Sequence, residues 1–167
     1  TLYLIGGYAY SVSENDHVTF DKLTSIDVPN LINAIIDGTP ISSYFKQIAN
    51  PIFQNTGGQL GKIGNEFYLV GGQTFMGRYN PMGNPTFEQT YVSKIQKFTI
   101  DNSGTQLSFS NYFEVVDEVH LHRRDYNLVP QVFPNGEEGY TISSGVFQIN
   151  ADLPFLYPVD IKSGGYF

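Results

Sequence analysis

Two short segments concentrate the residue types best suited to chemistry. Gly77-Arg78-Tyr79-Asn80 sets a guanidinium, an aromatic ring and an amide side by side, with Pro81, Met82, Asn84, Phe87, Glu88 and Gln89 close behind. The second segment runs His120-Leu121-His122-Arg123-Arg124-Asp125-Tyr126-Asn127. Aromatic faces stack on sugar rings and peptide groups, while amides and guanidinium groups hydrogen-bond hydroxyls and carboxylates. The candidate ligand-binding residues are therefore Arg78, Tyr79, Asn80, His122, Arg123, Arg124, Asp125, Tyr126 and Asn127. The ligand class these residue types suit is a glycan or a protein partner.

Other chemistry is less well supplied. His120 and His122 alternate across Leu121, and Glu118 shares their parity, so in a strand the three would face one way. Such a trio suits a metal, or it is simply the polar face of an outer strand. No further ligand can be named, so no metal and no cofactor is expected. Arg123-Arg124-Asp125 reads either as an internal brace or as a ligand contact. Asp117 and Glu118 are adjacent and point to opposite sides of a strand, which is poor geometry for paired carboxylates. No Ser, His and Asp are spaced as a nucleophilic constellation. Gly57-Gly58-Gln59-Leu60-Gly61 has no Lys-Ser/Thr pair and no helix after it, so it is not a phosphate loop.

Composition narrows the partners. The net charge is -7, which disfavours nucleic-acid backbones and anionic lipid surfaces. No apolar run reaches the ~20 residues of a membrane helix, so no membrane insertion is expected. The chain has no Cys, which excludes disulfides and thiolate chemistry. With 12 Tyr, 13 Phe, 17 Gly and 9 Pro, it reads as many short strands and tight turns.

The elements that must position the two segments are strands. They are predicted at 2–5, 18–26, 43–48, 58–63, 66–70, 91–100, 106–116, 128–133, 139–143 and 155–161. Turns are marked by Gly64-Asn65, Asn102-Ser103-Gly104 and Asn135-Gly136. Residues 28–36 show no convincing helical stripe, so at most a short helical turn is expected there. Three apolar strands run into paired small residues: LYLIGG ends at Gly7, FYLVGG at Gly72 and YTISSG at Gly145. The segments downstream of these strand ends repeat as well, as in Lys22-Leu23-Thr24-Ser25-Ile26-Asp27 and Lys94-Ile95-Gln96-Lys97-Phe98-Thr99-Ile100-Asp101. The unit is four strands, complete at about 58–63, 66–72, 91–100 and 106–116. Four-stranded antiparallel repeats of this kind are propeller blades.

These residues resemble the kelch repeat, in which a turn glycine, an aromatic strand and a terminal Gly-Gly are coupled, as in Gly64-Asn65-Glu66-Phe67-Tyr68-Leu69-Val70-Gly71-Gly72. An Arg often precedes the first strand of such a blade, and Arg123 or Arg124 suits that place. The sequence departs from the pattern in three ways. Ser144-Gly145 replaces Gly-Gly, the outer-strand Trp is absent, and the spacings exceed the roughly 50 residues of a typical blade. The segments around Arg78 and Arg123 also resemble uncharacterised kelch-type proteins exported by Bacteroidota, many of which carry a type IX sorting domain. That resemblance implies an extracytoplasmic, secreted or cell-surface location.

The expected architecture is all-β, a partial kelch-like β-propeller over 1–167: a blade fragment at 1–50, a blade at 51–120 and an incomplete blade at 121–167. Propellers close with about four to eight blades, so further blades are expected from a longer chain or from other chains. The paired glycines are expected to let backbones crowd together. The long segments after the second strand of each blade, and between blades, are expected to meet on one face and to bind there. A non-catalytic interaction module is the leading expectation. A carbohydrate-active enzyme with its site at the channel mouth, or a purely structural segment, is the alternative.

Overall fold

A computed structural model describes residues 1–83 and 86–166. Asn84, part of the candidate loop, lies outside the described residues. The first third of the chain forms β1 (Leu2–Ile5), β2 (Tyr8–Ser11), β3 (Asp16–Thr19), β4 (Lys22–Ile26), α1 (Val28–Asp37) and β5 (Phe45–Ala49). The middle forms β6 (Gln59–Ile63), β7 (Glu66–Val70), β8 (Gln73–Gly77), β9 (Phe87–Tyr91), β10 (Lys94–Asp101) and β11 (Ser108–Val116). The last third forms β12 (Arg124–Val132), β13 (Glu138–Gln148), β14 (Ala151–Pro154), β15 (Val159–Lys162) and β16 (Gly165–Tyr166).

The fold is all-β and of the β-propeller class: four small antiparallel sheets. The sheet β6-β7-β10-β11 is the four-stranded unit expected from the repeat. Its register pairs Leu60 with Leu69 and Phe67 with Phe98. A second sheet has the order β1-β4-β5, and a third has β12-β13-β15-β16 with β14 on β13. The fourth sheet, β2-β3-β8-β9, was not expected. It is assembled from two insertions, one between β1 and β4 and the other between β7 and β10. The expected loops at 8–17 and 73–90 thus carry β2, the start of β3, β8 and most of β9, and the strand expected at 18–26 divides between β3 and β4, which belong to different sheets.

By contact density the chain forms two compact units. The first comprises 1–56, 74–88 and 100–110; the second comprises 57–73, 89–99 and 111–167.

In the first unit Leu23, Ile26, Phe53, Phe75 and Leu107 are buried, and Phe53 meets Phe109 edge-on at 5.0 Å. Helix α1 corrects the expectation of a mere turn. Val28, Leu31, Ile32, Ile35 and Ile36 do keep the i, i+3, i+4 spacing of one helical face. The helix is delimited by its caps. The Asp27 carboxylate accepts the Asn30 amide hydrogen at 3.5 Å, Pro29 fits the first turn, and Gly38 closes the end at φ 64°. Only Ala34 is buried, and Ile36 remains 76% exposed, so the apolar face is turned largely to solvent.

In the second unit two sheets pack face to face. Tyr68, Val70 and Ile95 from one meet Tyr126, Ile142, Val159 and Ile161 from the other, with Leu121 between strands. Each such side chain contributes about 1.5–3 kcal/mol by leaving water, so this cluster dominates the unit's stability.

The paired small residues take one backbone shape three times. Gly6 and Gly7 have φ of 63° and 104°, Gly71 and Gly72 have 53° and 94°, and Ser144 and Gly145 have 61° and 99°. The first position is left-handed, where an L-residue costs about 1–2 kcal/mol. Ser144 therefore carries strain that its glycine counterparts lack. Glycine loses about 0.5–1 kcal/mol more chain entropy on folding. Ser144→Gly should thus raise stability by about 0.5–1 kcal/mol, read as a higher urea midpoint with an unchanged slope.

Candidate binding surfaces

The inserted sheet of the first unit has two different faces. The register sets Tyr8 opposite Thr19 and Tyr10 opposite His17, and these side chains share one face. Val18, paired with Met76, belongs to the other. Phe75 is next to Met76 in the strand, points the opposite way, and so joins the first face. The rings form a continuous series. Tyr10 meets His17 at 5.4 Å, and His17 meets Tyr8 at 5.9 Å. Tyr8 meets Phe75 at 5.4 Å, and Phe75 meets Tyr79 at 5.3 Å and Phe87 at 5.7 Å. Tyr79 and Phe87 are 4.8 Å apart.

Tyr8 anchors the predicted loop to this face. Its hydroxyl donates to the Gly77 carbonyl at 2.6 Å and accepts the Tyr79 amide hydrogen at 2.8 Å. The Thr86 hydroxyl donates to the Arg78 carbonyl at 2.8 Å and closes the loop on itself. Tyr79 is 40% exposed and Tyr10 is 50% exposed, so the series ends in accessible ring faces. Arg78 is exposed, and its guanidinium forms no ion pair among the described residues. Asn80 is also exposed, but its side-chain carbonyl accepts the Met82 amide hydrogen at 3.3 Å, a local turn. Tyr8, Tyr10, His17, Phe75 and Phe87 are absent from the binding residues picked out by sequence. The alternation of Tyr8 and Tyr10 about Ala9, immediately after Gly7, was the available signal.

The other predicted segment lies in the second unit, where its residues divide by burial. Arg123 is 1% exposed. Its Nε donates to the His120 carbonyl at 2.7 Å and Nη1 to the Ser144 carbonyl at 2.9 Å, while the guanidinium lies 3.8 Å over the Phe155 ring. Burial pulls its pKa down to about 10, against the opposing pull of Tyr126 and Asp117. Tyr126 is also buried, and its hydroxyl donates to the Val70 carbonyl at 2.5 Å. Burial pushes that hydroxyl well above the ordinary tyrosine range. Both side chains are turned inward as braces.

The rest of the segment is more accessible. His122 is half-buried, stacks on Tyr91 at 3.9 Å, and its Nδ1 lies 2.8 Å from the Phe147 carbonyl oxygen. Burial raises the Tyr91 hydroxyl pKa despite the nearby Arg124 charge. Arg124 lies 4.2 Å over the Phe147 ring, with Nε 3.6 Å from an Asp125 carboxylate oxygen. Asp125 and Phe147 both hold positive φ, at 59° and 71°. Asn127 is exposed and pairs with Ser143 in the β12–β13 ladder.

Residues 117–123 form a turn, not a strand. The alternation expected for Glu118, His120 and His122 is therefore absent. Asp117 instead accepts the Val119 and His120 amide hydrogens at 3.0 and 2.9 Å and sits 2.8 Å from His120 Nδ1. Among the described residues no three His, Cys, Asp or Glu side chains converge as metal ligands.

The chain matches no protein-family model, no curated protein and no solved structure.

Proposed function

We propose that this chain is a non-catalytic binding module that recognises a glycan or a protein partner through the aromatic face of the inserted sheet. Its setting would be a kelch-type propeller that is exported or displayed at a cell surface. The kelch reading draws support from the φ pattern shared by Gly6-Gly7 after β1, Gly71-Gly72 after β7 and Ser144-Gly145 within β13.

The observation that carries the binding reading is the series of rings from Tyr10 to Tyr79. Blade pairing does not require it, because β6, β7, β10 and β11 pair with one another without the inserted hairpins. Exposed rings held rigid by neighbouring rings suit stacking against sugar C–H faces or peptide planes. They lose little side-chain entropy on binding, and an adjacent arginine adds hydrogen bonds to hydroxyls or carboxylates.

Glycan-array binding and capture of protein partners, compared for the wild type and for Tyr79→Ala and Arg78→Ala, test this reading. Either substitution should weaken binding about tenfold or more. Binding that survives both changes intact would remove this face from consideration.

A further inference from the structure

The opposite side of the first unit's inserted sheet borders a cleft of about 370 Å³. We infer that this cleft is a second binding site and that it receives a single neutral saccharide unit. The inference rests on the glycan arm of the proposed function, but on different residues.

The polar lining of the cleft comes from three stretches of chain. Ser11 ends β2, and Ser13 and Glu14 lie in the β2–β3 turn. Asp21 immediately precedes β4 and Lys22 opens it, while Gln54 lies in the segment after β5. Val18, Phe20 and Met76 supply apolar wall. The volume falls in the range of small-molecule sites, about 300–1,000 Å³.

The lining chemistry selects the ligand class. Two carboxylates stand against one ammonium, with Asp21 and Lys22 paired at 3.0 Å, so an anion is disfavoured. A bound metal is disfavoured because no third metal ligand converges there among the described residues. A wholly apolar ligand would offer the carboxylates and the ammonium no hydrogen-bond partner. A saccharide satisfies all of them. Its hydroxyls donate to the carboxylates of Glu14 and Asp21 and accept from Lys22, while its C–H face lies on Val18, Phe20 and Met76.

The polar groups are held in place. The hydroxyls of Ser11 and Ser13 are 3.0 Å apart, and Gln54 Nε2 donates to the Thr19 carbonyl at 3.1 Å, which leaves its side-chain carbonyl for a ligand. The Thr19 hydroxyl accepts the Phe75 amide hydrogen at 2.7 Å and so ties the cleft wall to β8.

The test is amide NMR titration of the whole chain with methyl glycosides of glucose, galactose and mannose at millimolar concentration. At least one should shift the resonances of residues 11–14 and 19–22. Glu14→Gln should weaken that binding about tenfold, and so should Lys22→Met. Glu14 is exposed, so its substitution leaves the fold intact. Tyr79→Ala should leave the shifts of residues 11–14 and 19–22 unchanged, because Tyr79 does not line the cleft. No shift at the cleft with any of the three sugars overturns the inference. Shifts confined to Tyr10 and Tyr79 overturn it too, while sparing the proposed function. Shifts at the cleft in a protein whose array binding ignores Tyr79 uphold the cleft and sink the aromatic face.

Discussion

Gly6→Ala should abolish or nearly abolish stable folding of the first unit, a loss of about 4 kcal/mol or more. An alanine Cβ there would stand 1.9 Å from the Asn55 carbonyl oxygen and 2.9 Å from that of Phe53. Both are backbone atoms, so neither can swing aside. The Asn55 carbonyl is also engaged, since it accepts the Gly7 amide hydrogen at 2.8 Å. Relief of the clash would break that bond. The left-handed φ of 63° adds about 1–2 kcal/mol by itself.

Gly38→Ala isolates this last contribution. Gly38 has nearly the same φ, 64°, but its Cβ would meet open space. It should cost only about 1–2 kcal/mol. Gly71→Ala should fall between the two, because its Cβ would lie 2.8 Å from the Tyr126 hydroxyl. That hydroxyl ends a side chain, but its bond to the Val70 carbonyl restrains it. Denaturant unfolding of the three variants checks the order. If Gly6→Ala costs no more than Gly38→Ala, close approach is not what requires glycine there.

Arg123→Ala should cost about 3–5 kcal/mol, the second-largest effect expected. The change removes a fully buried side chain and leaves a cavity against the Phe155 ring. It also leaves the carbonyls of His120 and Ser144 without these donors. Those carbonyls belong to the turn that precedes β12 and to the strained Ser144 within β13, so one side chain joins two points of the second unit far apart in sequence. Arg123→Lys should recover less than half of the loss. An ammonium cannot present the planar fork that reaches two carbonyls while stacking on a ring. Thermal unfolding of the two variants measures this, and an Ala variant within about 1 kcal/mol of wild type would show that Arg123 is not a brace.

The two units differ in how far their sequence announces them. The β6-β7-β10-β11 sheet is legible because its signals are local: alternation along each strand, glycine turns between them, and the Gly71-Gly72 end. Helix α1 is also written in the chain, as an apolar face spaced at 28, 31, 32, 35 and 36. That face is hard to read as a helix because Pro29 and Gly38 crowd so short a segment. Yet proline is compatible with the first helical turn, where its missing amide hydrogen has no partner to lose. Glycine is the usual residue just past a helix end.

The inserted sheet is a different case. Arg78 and Tyr79 stand out by residue type, but their neighbours do not. Tyr10, His17 and Tyr8 reach Phe75 and Tyr79 only because β3 pairs with β8, and the register that joins Val18 to Met76 spans more than fifty residues of chain. Nothing in either hairpin specifies that partner. Similarly, Arg123 and Arg124 look alike in sequence, and only their packing makes one a buried brace while the other keeps a half-exposed charge.

The amino-acid sequence by itself thus determined an all-β chain, its four-stranded unit and the strand ends that need glycine, because alternation and backbone conformation are properties of neighbouring residues. Only the tertiary structure decided that the insertions at 8–19 and 73–91 pair into a sheet with an aromatic face on one side and a cleft on the other. Cross-strand pairing is a contest among distant segments, and it is settled by which faces can be buried together.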